Sequence, residues 1–185
     1  IRDSFQGKVR QMNCRNETFN YHPEPTSILN PLGLVSSPLA GSVTVQLCRT
    51  VHGPVQERGG NYAYARRYAT WGREVTTLQG LADVDSASTV FDVNRAMAEV
   101  SWNENMEAAD DRGNIGYWHP GLLPIRPAGW DERLPYPGDG RAEWKGFLPV
   151  SKRPHVINPK QGWLTNWNNI PSQGWTTVSY THLTL

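Results

Sequence analysis

Cysteine is scarce in this chain: Cys14 and Cys48 are its only two among 185 residues. Neither lies in a CxxC pair or beside a histidine at ligand spacing, which removes the zinc-ribbon and thioredoxin-like classes. A disulfide between them and two separate thiols both remain open. No apolar run approaches the roughly 20 residues that a bilayer span requires. Charge of one sign is also missing, with 18 Lys and Arg against 17 Asp and Glu, and no basic stripe runs along the chain. That excludes an electrostatic nucleic-acid binder and a polybasic membrane binder. There is no HExxH, phosphate loop, dinucleotide fingerprint or GxSxG. His22, His52, His119, His155 and His182 are scattered without metal spacing. None of the serines has a basic partner that the sequence can establish. The start, Ile1-Arg2-Asp3-Ser4, has neither Met nor the apolar core of a signal peptide. A processed product or a fragment is therefore expected.

What is abundant is aromatic and turn-forming. Eight Trp and seven Tyr accompany 17 Gly and 14 Pro, a mixture that predicts many loops braced by large rings. Residues 1–41 are polar and broken by proline, and read as irregular with one short strand near Val9–Met12. Ser42–Thr50 alternates, with Val43, Val45 and Leu47 on one face, and predicts a strand. Asn61–Arg66 alternates again. From Glu74 the period changes: Glu74–Ala82 predicts a short helix. Thr89 can cap a second helix carrying Val90, Val93, Met97 and Val100 at spacings of three and four. Asp92, three residues after Thr89, approaches a capping box. Glu107–Asp110 and Ile115–Trp118 read as strands around the turn Asp111-Arg-Gly-Asn114, where Gly113 or Asn114 can take positive φ. Trp163–Trp167 is expected to form one more strand. Asn16-Glu-Thr18 matches a glycosylation acceptor, a weak signal when it stands alone.

The ordered motifs say more than composition does. Arg49-Thr-Val-His-Gly-Pro-Val55 precedes Asn105, which stands five residues before Asp110 in Ala109-Asp110-x-x-Gly-Asn-Ile-Gly-Tyr117. Gly121-x-x-Pro-x-Arg126-x-x-Gly-x-Asp131 and Leu134-Pro-Tyr-Pro-Gly138 follow. Trp144-Lys-Gly-Phe-Leu-Pro149, Asn158-Pro-x-x-Gly162 and Asn166-Trp-Asn-Asn169 complete the series. Together they resemble the β-chain of the penicillin acylase (penicillin amidase) family of N-terminal nucleophile hydrolases, in order from about residue 43 to 171.

The resemblance implies an α+β fold: part of an αββα sandwich with antiparallel strands and a long Pro/Trp-rich loop region. It implies a single β-chain fragment over 1–185, family-like at 42–171, with 1–41 and 172–185 not placed. It implies an exported, periplasmic or secreted bacterial precursor that cuts itself into α and β chains. The N-terminal serine of the new β-chain attacks an amide, with its own α-amino group as base. Neither the serine-led start nor the His-Asn-Gly segment of that family is present, so the nucleophile is expected outside these residues and the isolated fragment is expected to be inactive. Asn105 matches the family's oxyanion-hole asparagine, and Arg126 the arginine that orders the site. No cofactor or metal is expected in the fragment, with calcium left to the full-length protein. The expected partners are the α-chain, the remainder of the β-chain and a small N-acyl amide, with no nucleic acid and no membrane. Asp110, His52 and Asn168 read as structural. The competing reading is a noncatalytic module that stacks sugars or aromatic ligands on exposed tryptophans. A third is a structural piece whose apolar interface faces a missing subunit.

Overall fold

A computed structural model describes residues 1–21, 41–131, 133–167, 169–173 and 175. Asn168 and the stretches 22–40 and 176–185 lie outside the described residues. The chain divides into two compact units, Ile1–Arg67 and Tyr68–Leu185.

The first unit is built of antiparallel strands. β1 (Arg2–Phe5) pairs with β2 (Lys8–Gln11). β3 (Asn13–Tyr21), β4 (Gly41–Thr50), β5 (Gly53–Gly59) and β6 (Tyr62–Ala65) form a second sheet in that order. β2 is the short strand expected near Val9–Met12, but β1 and β3 replace the irregular structure predicted around it. These two strands are mostly polar, with too few apolar residues to give a sustained alternation, and pairing supplies the order. β4 matches its prediction, yet Val43, Val45 and Leu47 stay 41–49% exposed within this unit.

The register sets Cys14 opposite Cys48, and the two form a disulfide across a separation of 34 residues. Cross-linking over a loop of that length removes about 3–4 kcal/mol of unfolded-chain entropy. Replacing both cysteines by alanine is accordingly expected to lower stability by about that amount, read as a shift in the denaturant midpoint at unchanged slope. A variant as stable as the parent would show that the β3–β4 ladder holds without the bond.

The second unit begins with α1 (Glu74–Asp85) and α2 (Val90–Ala96). Thr89 caps α2 as expected: its Oγ1 accepts from the Asp92 N–H at 3.2 Å. The Asp92 carboxylate reaches back to the Ser88 N–H and accepts from the Thr89 hydroxyl at 2.7 Å, close to the reciprocal capping box. The helix ends at Ala96, yet Met97 and Val100 remain buried beyond it. β7 (Met106–Ala109), β8 (Ile115–Trp118) and β9 (His155–Ile157) form an antiparallel sheet in that order. Val90, Val93, Met97, Val100 and Trp118 make the core between helices and sheet. Residues 163–166 adopt no regular structure and Trp167 lies in a bend, which corrects the strand predicted there. The third strand of this sheet is instead β9, paired with β8 and with Ile157 packed against the core.

Candidate active site

The turn between β7 and β8 is locked by one carboxylate. Asp110 Oδ1 accepts the N–H groups of Arg112 at 3.1 Å and Asn114 at 2.9 Å, while Asn114 Nδ2 donates to both its oxygens. Its Oδ2 also accepts the Val90 N–H at the start of α2. Gly113 takes φ +83°, as the turn requires. Burial opposes the charge on Asp110, but the side-chain and backbone hydrogen bonds from Asn114, with those from Val90 and Arg112, outweigh it and hold its pKa below the ordinary value. Asp110 therefore fixes the hairpin on which the candidate site is built, in line with its structural reading.

Asn105 stands one residue before β7. Two crossings fix the chain that leads to it. Thr77 Oγ1 on α1 accepts the N–H groups of Ser101 and Trp102 at 3.2 and 3.1 Å, and lies 2.6 Å from Ser101 Oγ. Ser101 Oγ in turn donates to the Arg73 carbonyl, so the Thr77 hydroxyl is the donor between them. On the other side Gly121 passes so close that an added Cβ would sit 2.9 Å from the Asn103 backbone. Its φ of +108° is one that side chains rarely adopt.

The amide of Asn105 is then held at both ends. Its Oδ1 accepts from the Tyr117 hydroxyl at 2.7 Å and from His119 Nδ1 at 3.1 Å. Because that oxygen can only accept, the proton of the neutral imidazole sits on Nδ1. Asn105 Nδ2 donates to Asn166 Oδ1 at 3.1 Å and to the Asn169 carbonyl at 3.0 Å. Turning the amide over would set its oxygen against that carbonyl, so the orientation is unique. Tyr117 and His119 come from β8 and the residue after it. Asn166 and Asn169 arrive from more than 60 residues downstream. Sequence reasoning names Asn105 but gives none of these four a role. Asn166 and Asn169 do appear in the quoted motif Asn166-Trp-Asn-Asn169, the one signal that could have found them.

His119 is fully buried. Burial pulls its pKa below the ordinary 6.5, against a smaller opposing pull from the Glu104 carbonyl. The unfolded chain therefore takes up this proton first as pH falls. The stability that rests on neutral His119 is whole above about pH 6.5 and drains away as pH drops toward the lower folded value. His119→Gln is expected to flatten that acid limb in unfolding curves taken between pH 8 and about pH 5. An unchanged pH profile in the variant would contradict it.

Arg126 lies half-buried at the end of a second ladder. There Ile125 N–H donates to the Gly146 carbonyl, Lys145 N–H to the Ile125 carbonyl, and Pro124 bridges Phe147. It is not among the hydrogen-bond partners of Asn105. Among the described residues no group of three or more His, Cys, Asp or Glu side chains is placed to hold a metal ion. No helix among them is long and apolar enough to cross a membrane. His52 packs its ring edge-on against Phe5 at 5.3 Å. The tryptophans divide: Trp144 packs edge-on against Phe147 at 6.1 Å, whereas Trp163 and Trp167 are 60% and 72% exposed.

The family model for penicillin amidase matches residues 2–183. This chain belongs to the penicillin amidase family. Penicillin G acylase of Escherichia coli is 39% identical over 132 residues, which is 70% of this chain and 16% of that protein. An acyl-homoserine lactone acylase QuiP of Pseudomonas syringae pv. tomato is 36% identical over 101 residues, 51% of this chain and 12% of its own length. The solved structure of a thermostable penicillin G acylase from Alcaligenes faecalis superposes with a TM-score of 0.79 at 31% identity, covering 95% of this chain and 29% of that one. The α+β architecture with antiparallel sheets thus resembles that of the penicillin amidase family, and the chain spans a small part of its relatives' length.

Proposed function

We propose that the protein to which these residues belong hydrolyses the acyl amide of penicillin or a related N-acyl compound. In this reading the attacking group is the N-terminal serine of a processed β-chain, outside these 185 residues. The serine oxygen bonds to the carbonyl carbon, its proton passes to the terminal amine, and the carbonyl electron pair moves onto oxygen. Asn105 Nδ2 donates to that oxyanion. When the C–N bond breaks, the proton returns to the leaving amine. Water then releases the acyl group through a second oxyanion held by the same donor. Arg126 stays protonated and orders the surroundings of the reacting groups.

The observation that supports this most is the single orientation of the Asn105 amide. Oδ1 is occupied by Tyr117 and His119, so the donating end is set before any substrate arrives. The α-chain and the rest of the β-chain complete the site and the αββα sandwich. Such a precursor would be exported to the periplasm or secreted, and the Cys14–Cys48 bond suits an oxidising compartment. The exposed Trp163 and Trp167 favour a second reading as a stacking surface for sugars, but Trp163 precedes and Trp167 lies within the segment that holds Asn105, which suits a brace better. The test is turnover by the full-length protein on a panel of N-acyl amides, with and without Asn105. Turnover independent of Asn105 would remove it from the site.

A further inference from the structure

One stretch of chain, 166–175, reaches both ends of the Asn105 amide. At the donating end, Asn166 Oδ1 and the Asn169 carbonyl accept from Nδ2. At the accepting end the contact runs through His119. Its Nδ1 lies 3.1 Å from Asn105 Oδ1. The Trp175 ring packs against the same imidazole, with centroids 5.8 Å apart and planes at 74°, the edge-to-face geometry that aromatic rings favour. Trp175 is itself set by its backbone, its N–H donating to the Ser172 carbonyl at 3.1 Å. The His119 main chain is fixed as well, its N–H donating to the Pro154 carbonyl at 2.8 Å. That bond leaves the imidazole free to turn about its last side-chain torsion, which has no sharp minimum of its own. A ring N–H loses its hydrogen bond steeply as it swings out of line with the acceptor. Something must therefore hold the ring plane, and Trp175 lies against it.

We infer that Trp175 is a positioning residue for the oxyanion donor: it holds the His119 ring in the plane that keeps the Asn105 amide turned with Nδ2 outward. The inference rests on the reading of Asn105 proposed above, and adds to it a residue that touches neither the amide nor the substrate. It acts through one neighbour, His119, which is fully buried, so water does not compete for the Nδ1 proton while the ring stays covered. Asn105 Oδ1 also takes the Tyr117 hydroxyl at 2.7 Å. Removing Trp175 therefore loosens the amide without releasing it, and the loss should be smaller than that of the donor itself.

The test uses steady-state kinetics of the full-length protein on whichever amide of the panel above it turns over. Trp175→Leu is expected to lower kcat about tenfold with KM changed less than about twofold. Trp175→Met, nearer in volume, serves if the Leu variant does not fold. Trp175→Phe keeps an aromatic edge beside the imidazole and is expected to recover most of that kcat. The indole Nε1 has no hydrogen-bond partner among the described residues, so Phe gives up little with it. In an Asn105→Ala background, Trp175→Leu is expected to change kcat less than about twofold, because the group it positions is already gone. The proposal is overturned if Leu leaves kcat unchanged, if Phe is as slow as Leu, or if Leu slows the enzyme equally with and without Asn105. Turnover that ignores Asn105 altogether sinks the underlying reading and this inference with it, and the single Asn105 variant tells that outcome from the others.

Discussion

Asn105→Ala in the full-length protein is expected to lower amide turnover by about 10²–10³, the usual cost of losing one oxyanion donor. The fold should survive, since the backbone at 101–103 is held by Thr77 and Gly121 and not by the Asn105 side chain. Alanine also strips Tyr117 and His119 of their shared acceptor, so part of any loss could come from those two shifting. Asn105→Asp separates the effects. It keeps an oxygen for Tyr117 and His119 but removes the donors and sets a negative charge where the oxyanion forms. If donation is what counts, Asp should be at least as slow as Ala, with KM changed less than kcat. If Asp restored turnover, Asn105 would be a brace for its neighbours and nothing more.

Trp118→Ala is expected to be the most damaging of the stability variants, at about 3–5 kcal/mol. The ring is 3% exposed and closes the cluster of Val90, Val93, Met97 and Val100. Its Nε1 donates to Asn94 Oδ1 at 2.8 Å, so truncation also orphans an acceptor on α2. Trp118→Phe keeps most of the packing and loses that bond, and should cost about 1 kcal/mol more than the lost volume alone. Denaturant unfolding of the full-length protein reads both. A Trp118→Ala variant within about 1 kcal/mol of the parent would mean the core does not depend on this ring.

Much of this was legible in the residues, for reasons that differ from element to element. The alternation in β4, the Thr89 cap and the turn through Gly113 are local signals, and each appears where its pattern places it. The short strand expected near Val9–Met12 is β2, but β1 and β3 were not legible because their few apolar residues show no sustained alternation, nor was β9, whose three residues carry no period at all. The tryptophans at 163 and 167 misled, since large rings favour strands only where a neighbour pairs with them. Asn105 could be named from the motif series, but its partners could not. Asn166 and Asn169 reach it across more than 60 residues, and a buried histidine such as His119 looks in sequence like the chain's other four.

The amide of Asn105 already has occupants for both its N–H groups, and this bears on what the proposed site would discriminate. A substrate carbonyl in its ground state would merely take the place of Asn166 Oδ1 or the Asn169 carbonyl. One neutral acceptor is exchanged for another, and little is gained. An oxygen that has acquired a full charge displaces its rival at a clear advantage, because a charge-assisted bond is about twice as strong as a neutral one. Competition from within the chain therefore works as a threshold. In the proposed reaction it would withhold the donor from the resting amide and yield it as the carbonyl carbon becomes tetrahedral, the selectivity that speeds a reaction without tightening the grip on its starting material.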